Sequence, residues 1–253
     1  MNPALNQVDL AFVVDTTGSM SPFILAAQQQ MVRMIDELVD AAAIDLQLAI
    51  VQYRDHPPQE ASFVYHVEPF TGELQAAQNA IQALSANGGG DAPEAVVDGV
   101  LAACHELEWR THAQRIVVLV GDAPPHGIGA PGDMFVNGCP CGETVDSVTA
   151  AAEHARVTVY GLAMHSGAMD AFSWISQATG GVCYSAENGD AAIEHIKTLL
   201  VNNFSDLAFD ERVLQACQAQ PDFEIRALAE QFDVTRAAVA AAVSRLQRRL
   251  LLD

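Results

Sequence analysis

The segment Val8-Asp9-Leu10-Ala11-Phe12-Val13-Val14 runs without a turn signal into Asp15-Thr16-Thr17-Gly18-Ser19-Met20. A nearly continuous apolar run of this length reads as a strand buried on both faces, which places it in a parallel sheet covered by helices. The loop that follows carries Asp15, Thr17 and Ser19 at alternate positions, so three oxygen side chains can converge from one turn of backbone. One carboxylate and two hydroxyls suit a hard divalent cation such as Mg²⁺. Open α/β sheets bind ligands at this end of their strands.

The rest of the chain repeats the strand–helix alternation and predicts an α/β fold, a Rossmann-like doubly wound, mostly parallel sheet. Strands are expected at Asp45–Tyr53, at Phe63–Val67 on an edge, at Arg115–Val120, at Val157–Leu162 and over Gly180–Tyr184. Helices are expected over 21–40, 73–84, from Pro93 to His105, over 144–155, 170–178 and 190–203. The Gly/Pro-rich stretch from Gly121 to about Gly142 is too long for a routine connection. Beyond residue 205 strand signals cease, and helices are predicted at 210–218, 223–231 and 235–250. We therefore expect a main domain over 6–204 and a small all-α, trihelical module over 207–253, divided near Asn203–Leu207.

With 12 basic and 32 acidic residues the chain has a formal net charge of −20, which repels nucleic acid and anionic membrane overall. The charge is uneven: residues 206–253 hold 6 Arg against 8 acids, whereas the remainder holds 6 basic against 24 acidic residues. Five cysteines do not make a disulfide framework in a chain of 253 residues, no signal pattern opens the sequence and no apolar run could span a bilayer, so a cytoplasmic setting is expected. No phosphate-binding glycine loop, nucleophile elbow or His-Glu-x-x-His motif is present, and Lys197 is the single lysine. The expectation is a protein that is not an enzyme, with a metal-dependent hydrolase as a weaker alternative.

Three strand-ending loops carry oxygen ligands: Asp15, Thr17 and Ser19 in the first, Gly90-Asp91 in the second, Asp122 in the third. Together with Tyr53-Arg54-Asp55-His56, Gly88-Gly89-Gly90-Asp91-Ala92-Pro93-Glu94 and Gly121-Asp122-Ala123-Pro124-Pro125-His126-Gly127, in this order, they make residues 8 to about 203 resemble the von Willebrand factor type A domain with its metal-ion-dependent adhesion site. The resemblance implies Mg²⁺, or Mn²⁺ or Ca²⁺ in its stead, with Thr17 and Ser19 binding directly and Asp15 and Asp122 acting largely through water. An exchangeable metal position would then take a carboxylate from a partner protein. Many members place Thr in the second loop; here Gly90 stands there with Asp91 beside it, a version that resembles type A domains of some atypical alpha-kinases and hemicentin-like proteins. Asp91 is the candidate for the missing oxygen. By analogy with bacterial intracellular members, the partner would be an ATPase or effector component.

Asp55 and His56 read as turn residues that could support partner binding, and His126 as a hydrogen bonder ordering its loop. Cys139-Pro140-Cys141 shares that loop with His126 and Asp133, and with Cys183 nearby it is a weak Zn²⁺ motif, since zinc needs about four ligands.

In the tail, Leu228–Leu246 resembles a helix-turn-helix, with Ala229 at the close approach, Asp233 at the turn, Thr235 capping the second helix, and Val234, Val239, Val243 and Leu246 facing a small core. The second helix presents Ala237, Ala238, Ala240, Ala241 and Ala242 where readers of DNA bases carry Arg, Gln or Asn. Only Arg236, Arg245, Arg248 and Arg249 could reach phosphates or a partner. Protein docking is therefore favoured over a DNA-binding transcriptional regulator.

Overall fold

The computed structural model describes residues 4–42 and 44–252. Its centre is a six-stranded sheet in the order β3-β2-β1-β4-β5-β6, formed by β1 (Gln7–Asp15), β2 (Asp45–Tyr53), β3 (Tyr65–Thr71), β4 (Gln114–Gly121), β5 (Thr158–Ala163) and β6 (Cys183–Ser185). Every pairing is parallel except that of the edge strand β3 with β2. The order reverses between β1 and β4, and this switch point is where a doubly wound sheet opens a crevice at its carboxyl edge.

Side-chain alternation along the central strands builds two cores. Leu10, Phe12 and Val14 of β1 and Ile116, Val118 and Val120 of β4 face one side. There they meet α1 (Ser21–Ala26), α2 (Val32–Ala42), the wide turn Ala27–Met31 joining the two, α3 (Leu74–Ala83) and the first half of α7 (Gly189–Ala219). Ala11, Val13, Val117 and Leu119 face the other side, against α4 (Val96–His105), α5 (Val145–His154) and α6 (Ser166–Ala178). Because both faces are covered, the strands read as unbroken apolar runs.

Three sequence expectations are corrected. The helix expected from Pro93 starts at Val96. Residues 91–95 are instead drawn across the sheet edge: Ala95 N donates to Arg54 O (2.8 Å) and Glu94 N to Pro124 O (3.0 Å). The helices expected at 190–203 and 210–218 are one helix, α7, which passes unbroken through 203–207. Its polar residues at that point are satisfied inward: Asn203 Oδ1 accepts from Gln114 Nε2 and Tyr160 OH, at 2.7 and 3.1 Å. Val234 is solvent-facing and does not join the small core.

That core contains Val213, Leu214 and Cys217 of α7, Leu228 and Ala229 of α8 (Ile225–Phe232), and Val239, Ala242, Val243 and Leu246 of α9 (Arg236–Arg248). Leu5 joins it from the amino-terminal segment. Asp233 takes a left-handed conformation (φ 54°) between α8 and α9, and Thr235 Oγ1 accepts from Ala238 N to cap α9.

Candidate metal centre

Asp15 ends β1 and Asp122 follows β4, on either side of the switch point. Asp15 is fully buried. Its Oδ1 accepts from Thr17 N (2.8 Å) and Thr17 Oγ1 (2.6 Å), and Thr17 Oγ1 lies 3.4 Å from the hydroxyl of the exposed Ser19. Asp15 Oδ2 is buried with no hydrogen-bond partner. Asp122 stands close enough to the Asp15 carboxyl for its charge to act on it. Burial, followed in weight by the pull of the Thr17 hydrogen bonds and the opposing charge of Asp122, leaves Asp15 with a pKa of about 7. The four residues singled out by spacing thus stand together, and their donor set is all oxygen.

Glu94 is a carboxylate that motif reasoning left out. It is 4% exposed and its Oε2 has no partner. Burial, then the charges of Asp15, Asp55, Asp91 and Asp122, push its pKa up to about 10. The glycine run explains how it comes so near: a Cβ on Gly89 would fall 3.0 Å from Glu94 Oε1 and 3.1 Å from Thr17 Cβ. Gly89 is also left-handed (φ 84°), a conformation that glycine adopts without strain. The signal was present in Pro93-Glu94, but an acid after a proline reads equally well as the first turn of a helix.

Gly90 has no room for the family's Thr, since a Cβ there would lie 2.8 Å from Gln59 Cβ and 2.9 Å from Gln59 Cα. Asp91 belongs to a neighbouring group. Its Oδ2 accepts from Met134 N (2.8 Å), while its Oδ1 is buried without a partner near the Asp55 carboxyl. Burial, reinforced by Asp55, raises its pKa.

His126 organises that group. Nε2 meets Asp55 Oδ1 at 2.7 Å and Nδ1 meets Asp133 Oδ1 at 3.1 Å. Burial opposes charge on the ring, but the two carboxylates prevail and raise its pKa. Asp133 also accepts from Gly127 N and Phe135 N, so one side chain shapes the turn of the long loop. Asp55 and His56, read from the sequence as turn residues, are buried. His56 Nε2 contacts Asp98 and Cys139. Cys183 stands apart, against Met169 Sδ.

Of the four tail arginines singled out from the sequence, Arg236, Arg245, Arg248 and Arg249, three face inward. Arg245 pairs with Asp210 through Nε (2.9 Å) and Nη2 (2.6 Å), and with Asp206 at 3.2 Å. Arg248 donates to Thr158 Oγ1 and Thr179 O, and Arg249 to His112 O, Ala4 O and Leu5 O. They fix α9 to the amino-terminal ends of β4 and β5, opposite the Asp15 site. Arg236 is exposed. Among the described residues no helix is long and apolar enough to cross a membrane.

The family model for the von Willebrand factor type A domain matches residues 9–199. The chain is 29% identical over 144 residues to "Alpha-protein kinase vwkA" of Dictyostelium discoideum, an overlap that covers 56% of this chain and 23% of that protein. It is 34% identical over 128 residues to the "Putative ariadne-like RING finger protein R811" of Acanthamoeba polyphaga mimivirus, covering 51% of this chain and 12% of that protein. The chain thus spans less than a quarter of the length of these curated relatives. Among solved structures, proximal thread matrix protein 1 from the mussel byssus, with a zinc-occupied adhesion-site motif, superposes at a TM-score of 0.54 and 15% identity, over 78% of this chain and 46% of that one.

Proposed function

The chain belongs to the von Willebrand factor type A domain family, and on that premise we propose that it is a divalent-cation-dependent protein-binding adaptor without catalytic activity of its own. The cation is Mg²⁺, held by Thr17 and Ser19 with Asp15 and Asp122, and Glu94 joins them as a further carboxylate. The observation that carries this reading is the set of buried, unpartnered carboxylate oxygens, Asp15 Oδ2 and Glu94 Oε2 with Asp91 Oδ1 and Asp55 Oδ2 beside them, in a nest of acids. Buried charge of one sign costs several kcal/mol per group unless it is neutralised. A divalent ion neutralises it and orders the loops at the same time. An all-oxygen donor set with few direct protein ligands suits Mg²⁺, which keeps bound water and so retains an exchangeable position. When bound, the ion supplies the positive charge that a partner's Asp or Glu would need.

The surroundings suit a protein partner. The loop after Asp122 exposes Ile128, Met134 and Val136, apolar surface beside a polar centre. The helical tail, at the other end of the sheet, is a docking module in this proposal. A DNA-reading role is less well supported, because Arg245, Arg248 and Arg249 are engaged within the chain. A cytoplasmic setting and an ATPase or effector partner remain part of the proposal by family analogy alone.

The test is calorimetric titration of chelator-treated protein with MgCl₂, followed by partner capture from native extract. Wild type is expected to bind one Mg²⁺ per site and to release captured protein on addition of EDTA. Asp15→Ala is expected to do neither. Chelator-independent capture by both proteins would reject the reading.

A further inference from the structure

A second constellation lies in the same long loop and has a different chemistry. Cys139 Sγ is 3.1 Å from His56 Nε2 and 3.1 Å from Asp98 Oδ2, and His56 Nε2 is 3.0 Å from Asp98 Oδ2. Cys141 Sγ is 3.0 Å from Cys139 Sγ and also interacts with Asp98. His56, Asp98 and Cys139 are all buried, and their ligand atoms lie within 4.8 Å of one another. They come from three places in the fold: the end of β2, the first turn of α4, and the loop between β4 and α5.

From this convergence we propose a structural Zn²⁺ site with the ligands His56, Asp98, Cys139 and Cys141. Two thiolates, one imidazole and one carboxylate make the four-coordinate N/O/S set that zinc favours and Mg²⁺ does not. Ligand atoms around a tetrahedral zinc stand roughly 3.3–3.8 Å apart. His56, Asp98 and Cys139, at 3.0–3.1 Å from one another, therefore need only a small outward shift, whereas Cys141, which touches Cys139 Sγ but stands outside the trio whose ligand atoms lie within 4.8 Å, has to turn inward to complete the set. The thiol protons leave to solvent as the metal binds, because a coordinating thiol is deprotonated outright.

A disulfide is the competing fate of two cysteines so placed. Both are free thiols, and a Cys-x-Cys spacing brings the Cα atoms together in a geometry that strains a disulfide. A zinc ion uses the same proximity without that strain. It would staple the middle of the long loop to β2 and α4, and so hold Asp122, His126 and the exposed Met134 and Val136 in place. The site is separate from the Asp15 centre, which contains no sulfur ligand.

Metal content and cobalt substitution test the proposal. Protein from zinc-supplemented culture, dialysed without chelator, is expected to retain one zinc per chain by mass spectrometry. Asp15→Asn should retain it too, which separates this site from a zinc ion held at the Asp15 centre. Cys139→Ser combined with Cys141→Ser should lose it, as should His56→Gln. Each loss, measured by competition with a chromophoric chelator, should exceed the roughly 10–100-fold that removal of an outer-shell partner costs. In case a variant fails to fold, the wild-type full chain loaded with Co²⁺ gives an independent answer: thiolate-to-cobalt charge-transfer absorption and intense tetrahedral d–d bands. Absence of that absorption, zinc retained by the double Ser variant, or a Cys139–Cys141 disulfide in zinc-free purified protein would each overturn the proposal.

Discussion

Thr17 donates its hydroxyl to Asp15 Oδ1 across 2.6 Å, and the other Asp15 oxygen is left buried without a donor. Half of this carboxylate is thus satisfied by its own loop, and the other half faces Asp122 and the acids around Glu94. The arrangement fixes the sign of two pH effects. Asp15 rises from 3.8 to about 7, mainly through burial. Between these values the folded chain binds more protons than the unfolded one, so the stability of EDTA-treated protein falls as pH rises through that window. Mg²⁺ competes with the same protons. Below pH 7 its affinity should increase by up to about tenfold per pH unit for each proton displaced. Calorimetry in buffers of differing ionisation heat, from pH 6 to 8, checks this. Affinity that does not change with pH would show that Asp15 does not share its site with the metal.

The His126 bridge has the same sign but a higher pH window. Its pKa is raised above 6.5, so the stability it contributes is complete below that value and is lost as pH rises through the folded-state pKa. Asp133 is held below 3.8 despite burial, because Gly127 N, Phe135 N and His126 bond to it, so its share is lost in acid. The triad therefore contributes most between about pH 4 and 6.5. His126→Phe leaves Asp55 and Asp133 without their cation and should cost about 3–5 kcal/mol, as breaking buried ion pairs does. Urea unfolding at pH 5.5 and 8.5 should find the larger loss at pH 5.5. Equal losses would mean that the ring acts by packing alone.

Much of the centre was legible because its parts lie on single loops. Asp15, Thr17 and Ser19 announce themselves by spacing, and Asp122 by the apolar run before it. Glu94 was not, since its role depends on residues 91–95 being pulled between Arg54 and Pro124, a tertiary event. The Cys139 cluster was half legible. The Cys-x-Cys pair was visible, but its partners sit about 40 and 80 positions away, and His126 and Asp133, nearer in sequence, are committed to each other. The continuity of α7 was hidden because strand signals cease beyond residue 205, which put a boundary near Asn203–Leu207 in the middle of the helix. Buried Leu199, Phe204, Leu207, Val213 and Leu214 keep one apolar face running through it.

Gly90 gives a sharp test of the second loop. Were it only a missing ligand, Gly90→Thr should improve Mg²⁺ binding. A Cβ there would strike Gln59 at backbone as well as side chain, so the opposite is expected. Overpacking of this kind costs about 1–3 kcal/mol, and Mg²⁺ affinity should fall as the loop shifts. Glu94→Gln, which keeps the shape, should also weaken Mg²⁺ but leave thermal stability in EDTA unchanged or raised, since an acid repelled by its neighbours is removed. Tighter binding by Gly90→Thr would restore the idea of a vacant Thr position.

Arg245 and Asp210 form a two-pronged pair, with Asp210 almost fully buried. Burial raises the pKa of Asp210, and Arg245 counters it with hydrogen bonds and charge. Arg245→Met removes the cation and leaves the carboxyl buried, which should destabilise the protein by about 3–5 kcal/mol. Arg245→Met with Asp210→Leu should recover most of that loss, because an apolar pair of similar size replaces a buried ion pair at little cost. Neither variant should move Mg²⁺ affinity, since α9 docks at the opposite end of the sheet from Asp15. Chemical denaturation with parallel Mg²⁺ titration measures both quantities. If the single variant unfolds no more easily than wild type, Arg245 is free for an external ligand, and a gel shift with the same variant would then decide whether that ligand is DNA.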